Sequence, residues 1–163
     1  MAETGSSLQR EIRQRRPFRT KTQEAALGLL KTADLIGRMI NSVLEPHGVT
    51  RQQYNVLRIL RGAGEPLPTL TIRDRMIEQA PGVTRLLDRI EAKGLVTRER
   101  CPDDRRQVLC SITDAGLELL TTLDAPMDAL DHDALAMLNK KELGALVDIL
   151  DRIRAAHTET PED

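Results

Sequence analysis

The hydrophobic period changes at Gly94, and this change constrains the fold more than any other feature of the sequence. Over residues 81–93 the apolar side chains recur at helical spacing, and the glycine that follows is a typical helix stop. Over residues 95–100 and 107–112 apolar and polar residues alternate, as they do in strands. Residues 102–106, between these two segments, contain turn formers and two arginines. The sequence therefore predicts a short helix followed by a β-hairpin with a charged tip.

Thr50 and Gln53 form a capping box, in which each side chain can bond the backbone amide of the other residue. This pattern predicts a helix over residues 51–61. Gly62 and Gly64 are expected to end it, because glycine readily adopts the left-handed conformation of a helix C-terminus. Local sequence thus predicts both ends of this helix.

Pro66 and Pro68 predict an extended link, and residues 71–77 a short helical stretch. This short helix, the helix over residues 81–93 and the hairpin together make a winged helix-turn-helix. The second helix is sized for the major groove of DNA, which is about 12 Å wide. We therefore predict a DNA-binding lobe.

Apolar helices are predicted on both sides of this lobe. Roughly two-thirds of the circumference of residues 22–44 is apolar, more than one core contact needs. Thr113 caps a further helix, which Pro126 is expected to kink or interrupt. A second capping box, of Asn139 and Glu142, opens the last helix. The predicted fold class is mainly α with a small β-hairpin wing (α+β).

Composition narrows the classes of function. The 163 residues include one Tyr, one Phe and no Trp, so aliphatic side chains must fill the core. The net charge of −1 divides into 20 basic against 13 acidic residues over 1–106, and 4 against 12 over 107–163. This asymmetry predicts a basic working surface on an acidic remainder.

Several classes are not expected. The sequence has no apolar run long enough to span a membrane, and the N-terminus has no hydrophobic signal core. Its residues show no set of nucleophile and base, no phosphate-binding loop and no metal-ligand spacing. We expect a cytoplasmic protein that is not an enzyme and has no cofactor or metal.

Residues 83–96, VTRLLDRIEAKGLV, resemble the corresponding stretch of the multiple antibiotic resistance regulator (MarR) family. The DRR run at 104–106 and the ITDAG run at 112–116 are similar to that family's wing and exit helix, and the resemblance extends over residues 22–157. It implies a homodimer whose first and last helices form a dimerisation domain and whose winged lobes bind a pseudo-palindromic DNA operator. Members usually act as repressors released by a small ligand, often phenolic or otherwise aromatic, or by cysteine oxidation.

The helix pattern and this resemblance divide the chain into five parts. They are a basic N-terminal arm, either disordered or packed on a partner or on DNA (1–21), a dimerisation helix (22–48), the winged helix-turn-helix lobe (49–112), the exit and dimerisation helices (113–157) and an acidic tail (158–163).

The candidate DNA contacts of the recognition helix lie at its N-terminus and on its outward face: Pro81, Gly82, Thr84, Arg85 and Arg89. Arg85 suits bidentate bonds to guanine, Thr84 a phosphate or a thymine methyl, and Gly82 a close approach of the backbone. For Arg89 an alternative to DNA contact is an ion pair on the helix surface with Asp88 or Glu91, which lie nearby.

For the wing, the resemblance implies that Arg106 enters the minor groove, that Asp104 orients it and that Arg105 contacts a phosphate. Pro81 and Gly82 stand where relatives often carry polar residues. Fewer side-chain bonds to bases are therefore expected, and wing contacts and DNA shape should carry more of the specificity.

The resemblance also implies a pocket between the dimer helices and the lobe, for a small aromatic or phenolic effector. Met39, His47 and Tyr54 are the candidate lining residues.

Two alternatives remain open. Cys101, among the arginines of the wing, is a candidate for a redox switch. The lobe is also a candidate for a protein-interaction module without DNA binding. Cys110, in an apolar strand, is expected to pack in the core, and an inter-strand disulfide between the two cysteines is a further option.

Overall fold

The computed structural model describes residues 6–78, 82–102, 104 and 106–157. The helices are α1 (Ser7–Glu11), α2 (Lys21–Leu44), α3 (Arg51–Ala63), α4 (Thr69–Arg75), α5 (Val83–Glu91), α6 (Asp114–Ala134) and α7 (Lys140–Ala155). The strands are β1 (Leu67–Pro68), β2 (Val96–Arg100) and β3 (Val108–Ile112), which form an antiparallel sheet in the order β1-β3-β2. This mainly helical fold with a small sheet confirms the predicted class.

Side-chain caps fix where several helices begin. Thr50 and Gln53 form the predicted capping box at the start of α3, and the second predicted box is present at the start of α7. Thr113 caps α6, and its hydroxyl also donates to the carbonyl of Gly94 at 2.7 Å. The exit helix is thereby attached to the point where the chain enters the wing.

Helix α3 lies at the centre of the core and packs against α2, α4, α5, α6 and β3. Its buried side chains include Tyr54, Val56, Leu57 and Leu60. The neighbouring elements contribute further side chains with no exposed surface: Leu44, Ile72, Leu87, Ile90, Cys110, Leu120 and Leu123. The core is almost entirely aliphatic, as the composition predicts. None of the described helices combines the length and the apolar character that crossing a membrane demands.

The structure corrects four details of the predicted helices. Helix α5 covers Val83–Glu91 instead of residues 81–93. Helix α3 continues through Gly62 to Ala63, and α4 covers Thr69–Arg75 instead of 71–77. Helix α6 passes Pro126 without interruption and ends at Ala134. Although a proline inside a helix removes one backbone hydrogen bond, the α6 side chains on both sides of it are buried: Leu123, Met127 and Leu130. Their burial offsets the missing bond.

Strand β1 was not predicted. Its two residues pair with the outer edge of the wing, with Leu67 opposite Cys110 and Pro68 opposite Leu109. A pair this short has no sequence signal of its own, because it depends on β3, which lies about forty residues further along the chain. It attaches the turn before α4 to the wing.

The strand register separates the two cysteines. Cys110 faces Arg98 across the hairpin, whereas the amide of Cys101 donates to the carbonyl of Gln107. The cysteines are thus offset by three positions, or about 10 Å along the strands, which exceeds the Cα separation of a disulfide. Both are free thiols, and the burial of Cys110 raises its pKa.

Part of the N-terminal arm is helical. Helix α1 begins with Ser6 as its cap, and the side chain of Leu8 lies beside Gly28 of α2. Thr20 then caps α2.

A bidentate ion pair joins α3 to α6. Nη1 and Nη2 of Arg61 lie 2.9 and 2.8 Å from the two carboxylate oxygens of Asp124. The hydrogen bond from Arg61 lowers the pKa of Asp124 and is the largest cause of that shift. A carboxylate whose pKa is lowered by folding stabilises the native state at neutral pH, and this stabilisation disappears as the pH falls through the lowered pKa.

We therefore expect Asp124→Asn to lower the melting temperature at neutral pH, with a difference from wild type that shrinks in acid. Thermal unfolding followed by circular dichroism across pH measures both. Asp128→Asn, an exposed substitution on the same helix, is the matched control. An equal loss in Asp124→Asn at all pH values would contradict an electrostatic role.

Candidate nucleic-acid interface and effector cavity

Helix α5 has one buried and one exposed face. The buried side chains are those that the helical spacing predicts: Val83, Leu86, Leu87 and Ile90. On the outward face Thr84, Arg85 and Arg89 are exposed. Three of the candidate DNA contacts are therefore accessible together on one surface.

Gly82 precedes α5 in the left-handed conformation, with φ of 88°. A side chain there would meet no atom of the described residues within 4 Å, so the backbone conformation, and not crowding, requires glycine. The open space in front of this residue suits the close approach to DNA that the sequence predicts. Pro81 lies outside the described residues.

Asp88 and Glu91 pair with Arg98 of β2, so the alternative in which one of them holds Arg89 in a helix-surface pair is not found among the described residues. Nη2 of Arg98 lies 2.6 Å from Asp88 Oδ1 and 2.6 Å from Glu91 Oε2. These bonds, above all the one to Glu91, raise the pKa of the Arg98 guanidinium. Within the described part of the chain, Arg85 and Arg89 have no ion-pair partner.

At the wing tip, Asp104 organises the turn through the backbone. Its carboxylate accepts from the amide of Arg106 at 3.0 Å and from the side-chain amide of Gln107 at 3.1 Å, and its carbonyl accepts from the Gln107 amide at 2.9 Å. The Arg106 side chain is exposed, and its guanidinium pairs with no described residue. Arg105 lies outside the described residues.

Lys93 attaches the end of α5 to the start of α3. Its ammonium group donates to the carbonyl of Gly48 at 2.5 Å and to Oε1 of Gln53 at 2.9 Å. Gln53 is a polar residue buried in the core, 3% exposed. Since Gln53 also caps α3, one side chain fixes both helices.

A cavity of about 770 Å³ lies between α2, α3, α6 and the segment that follows α4. Most of its wall is apolar: Ala33, Ile36, Gly37, Ile40, Tyr54, Ile59, Met76, Ile77 and Met127. Its polar lining residues are Arg51, Gln52, Asn55, Arg58, Glu78 and Asp131. An apolar cavity of this size with a few polar groups is typical of sites for small organic molecules.

Of the three candidate lining residues, Tyr54 lies in the wall of this cavity, whereas Met39 and His47 do not. Burial raises the pKa of Tyr54, and the guanidinium of Arg58 lies 5.9 Å from the centre of its ring. Met39 lies off the side of α2 that faces the cavity, and His47 is exposed in the turn after α2. An effector-binding role for these two residues therefore has no support from the cavity.

Arg51 connects three walls of the cavity. Its guanidinium fills the space where a side chain at position 37 would lie, so that Gly37 lets it pack on the backbone of α2. Nη1 of Arg51 lies 3.1 Å from Glu78 Oε1. The Asn55 side chain accepts from the amide of Ile77 at 2.9 Å. Residues 76–78 are thus attached to α3 at two points.

Sequence reasoning missed Arg51, Lys93 and Arg98, whose roles depend on contacts between distant segments. A glycine inside the apolar stripe of α2 was the available signal for Arg51, because glycine in a helix often marks a close approach.

Comparisons with known proteins place these features in a family. A sequence model of the MarR family matches residues 47–107. The transcriptional regulator TtmR of Methylorubrum extorquens is 36% identical over 137 residues, which cover 79% of this chain and 68% of TtmR.

Solved structures agree. A MarR transcription factor from Planctomyces limnophilus is 39% identical, with a TM-score of 0.64, and the match covers 82% of this chain and 98% of that one. BpsR of Bordetella bronchiseptica, whose DNA binding is regulated by 6-hydroxynicotinic acid, shares the fold with a TM-score of 0.72 at 23% identity; the match covers 80% of this chain and 98% of BpsR. These relatives are transcription regulators, not enzymes. The chain therefore belongs to the MarR family of winged-helix transcriptional regulators.

Proposed function

We propose that this protein is a cytoplasmic homodimeric repressor that binds a pseudo-palindromic DNA operator and is released from it by a small organic ligand. One observation carries the DNA-binding part. The exposed guanidinium groups of Arg85, Arg89 and Arg106 lie on the recognition helix and the wing tip, and none is paired with a described residue. Unpaired arginines on these two elements are suited to DNA.

In the proposed complex α5 enters the major groove. Arg85 bonds a guanine edge, Thr84 contacts a phosphate or a thymine methyl, and Gly82 allows the backbone to approach. Pro81 and Arg89 add contacts beside them. In the wing Arg106 enters the minor groove, on the turn that Asp104 holds, and Arg105 contacts a phosphate.

Arg85→Ala is expected to weaken operator binding by about 1 to 3 kcal/mol and to relax specificity at one base position, and Arg106→Ala to weaken it as well. The operator is a duplex that the wild-type protein selects from a random-sequence library, and affinity is measured by fluorescence anisotropy at fixed salt. Arg152→Ala, on the exposed surface of α7, is the control.

Unchanged affinity in both variants, or no dependence of affinity on salt, would contradict DNA binding and favour a protein-interaction module. Release of the wild-type protein by peroxide, but not of Cys101→Ser, would instead favour a redox switch.

Dimerisation is supported by apolar side chains that the single chain leaves uncovered. On α2 and α7 these side chains are between 41% and 68% exposed: Leu29, Leu30, Leu35, Val147, Ile149 and Ile153. A second copy that covers them would hold the two α5 helices at a fixed distance from each other. To enter successive turns of the major groove, the two helices must lie about 34 Å apart.

Val147→Glu is expected to shift the protein from dimer to monomer and to weaken operator binding, because it places a charge in the proposed apolar interface. Sedimentation equilibrium and anisotropy measure the two effects. Arg152→Glu adds the same side chain at an exposed polar position about 140° around α7 from Val147 and should leave both unchanged. A Val147→Glu protein that remains fully dimeric would contradict this interface.

Ligand release is supported by the position of the cavity. Residues 76–78 form one of its walls, and α5 begins shortly after them, at Val83. A ligand that prefers a different position of this wall would also favour a different position of α5, and a coupling of this kind is typically 1 to 3 kcal/mol. The apolar lining suits a small aromatic or phenolic compound. We propose that such a compound binds without a cofactor.

We expect phenol or 6-hydroxynicotinic acid to weaken operator binding by wild type about fivefold or more. The double substitution Ala33→Trp and Ile40→Trp narrows the cavity and should remove the response while operator binding without ligand persists. Anisotropy titrations of both proteins measure this. An equal response in both would exclude the cavity as the effector site, and no response to either compound would contradict the proposed effector class.

A further inference from the structure

The guanidinium of Arg98 connects the wing to the recognition helix. Its Nε and Nη2 lie 2.9 and 2.6 Å from Glu91 Oε2, and Nη2 also lies 2.6 Å from Asp88 Oδ1. The Arg98 side chain is only 21% exposed. One side chain of β2 therefore binds two carboxylates that stand three residues apart on α5.

These carboxylates would otherwise lie among the arginines that face DNA. Asp88 is three residues after Arg85, which is the spacing at which an acidic and a basic side chain meet on a helix surface. Asp88 forms its ion pair with Arg98, and Arg85 has no ion-pair partner among the described residues. Two free carboxylates near the groove would also repel phosphates.

We propose that Arg98 is a positioning residue for DNA binding, which keeps Arg85 available by holding Asp88 and Glu91 and which fixes the wing against the recognition helix. This inference rests on the proposed DNA-binding function. An arginine suits the role because its planar fork binds two acceptors in a fixed direction, whereas a lysine offers a point charge on a flexible chain.

The test compares Arg98→Ala with the triple variant Asp88→Asn, Glu91→Gln, Arg98→Ala, on the duplex selected by the wild-type protein. Arg98→Ala is expected to lose about tenfold in affinity, comparable with the loss of one base contact. The triple variant should regain most of this loss, because the freed side chains no longer carry charge.

Two further comparisons separate this role from general stability. Arg61→Ala removes the bidentate ion pair between α3 and α6 and is expected to lower the melting temperature while leaving operator affinity within about twofold. In the Arg98→Ala background, Arg85→Ala should weaken binding less than it does in wild type. There the freed Asp88 carboxylate already pairs with Arg85 and keeps it from DNA.

Wild-type affinity in Arg98→Ala, or a triple variant that binds no better than Arg98→Ala, would overturn the proposal. If Arg98→Ala does not fold, Arg98→Lys replaces it: an intermediate loss that Asp88→Asn with Glu91→Gln reverses supports the role, and wild-type affinity overturns it. Failure of DNA binding itself is recognised separately, because Arg85→Ala and Arg106→Ala would then also be without effect.

Discussion

The packing of α3 is the constraint on which the rest of the structure depends. Its buried side chains meet α2, α4, α5, α6 and β3, so each functional region is positioned against the same helix. Because the core is built from aliphatic side chains at high packing density, a shift of α3 cannot be absorbed locally. The cavity lies on one side of this helix and α5 packs against another. Both regions therefore share a single rigid support.

Polar contacts then determine how the surface elements are oriented on this support. Lys93 attaches the end of α5 to Gly48 and Gln53, and Arg98 attaches the wing to the same helix. The residues that make these contacts are mostly half-buried or exposed. Each single contact therefore adds only modest stability. It nevertheless fixes the orientation of α5 or of the wing, which apolar packing alone leaves undetermined.

Sequence alone predicted the elements whose signals are local. The capping boxes, the apolar stripe of α5 and the alternation of the hairpin each depend on residues a few positions apart, and the structure contains all of them. It failed where distant segments decide the outcome: α6 continues past Pro126 because its buried side chains meet other elements, β1 needs β3 to pair with, and Asp88 pairs with Arg98 instead of a neighbour on its own helix. The exposure of Arg85 and Arg106 could be predicted from the helical period and from the position of the turn. That neither has an ion-pair partner among the described residues could not.

The last helix has a thermodynamic consequence. None of the 16 residues of α7, all of which lie in the described range, is buried within the single chain. Isolated helices of about this length are marginal in water, even with good capping. In the proposed dimer, α7 would draw much of its stability from the second copy, and its helical content would then be linked by mass action to protein concentration. The melting temperature of such a dimer would be a property of the solution as much as of the sequence.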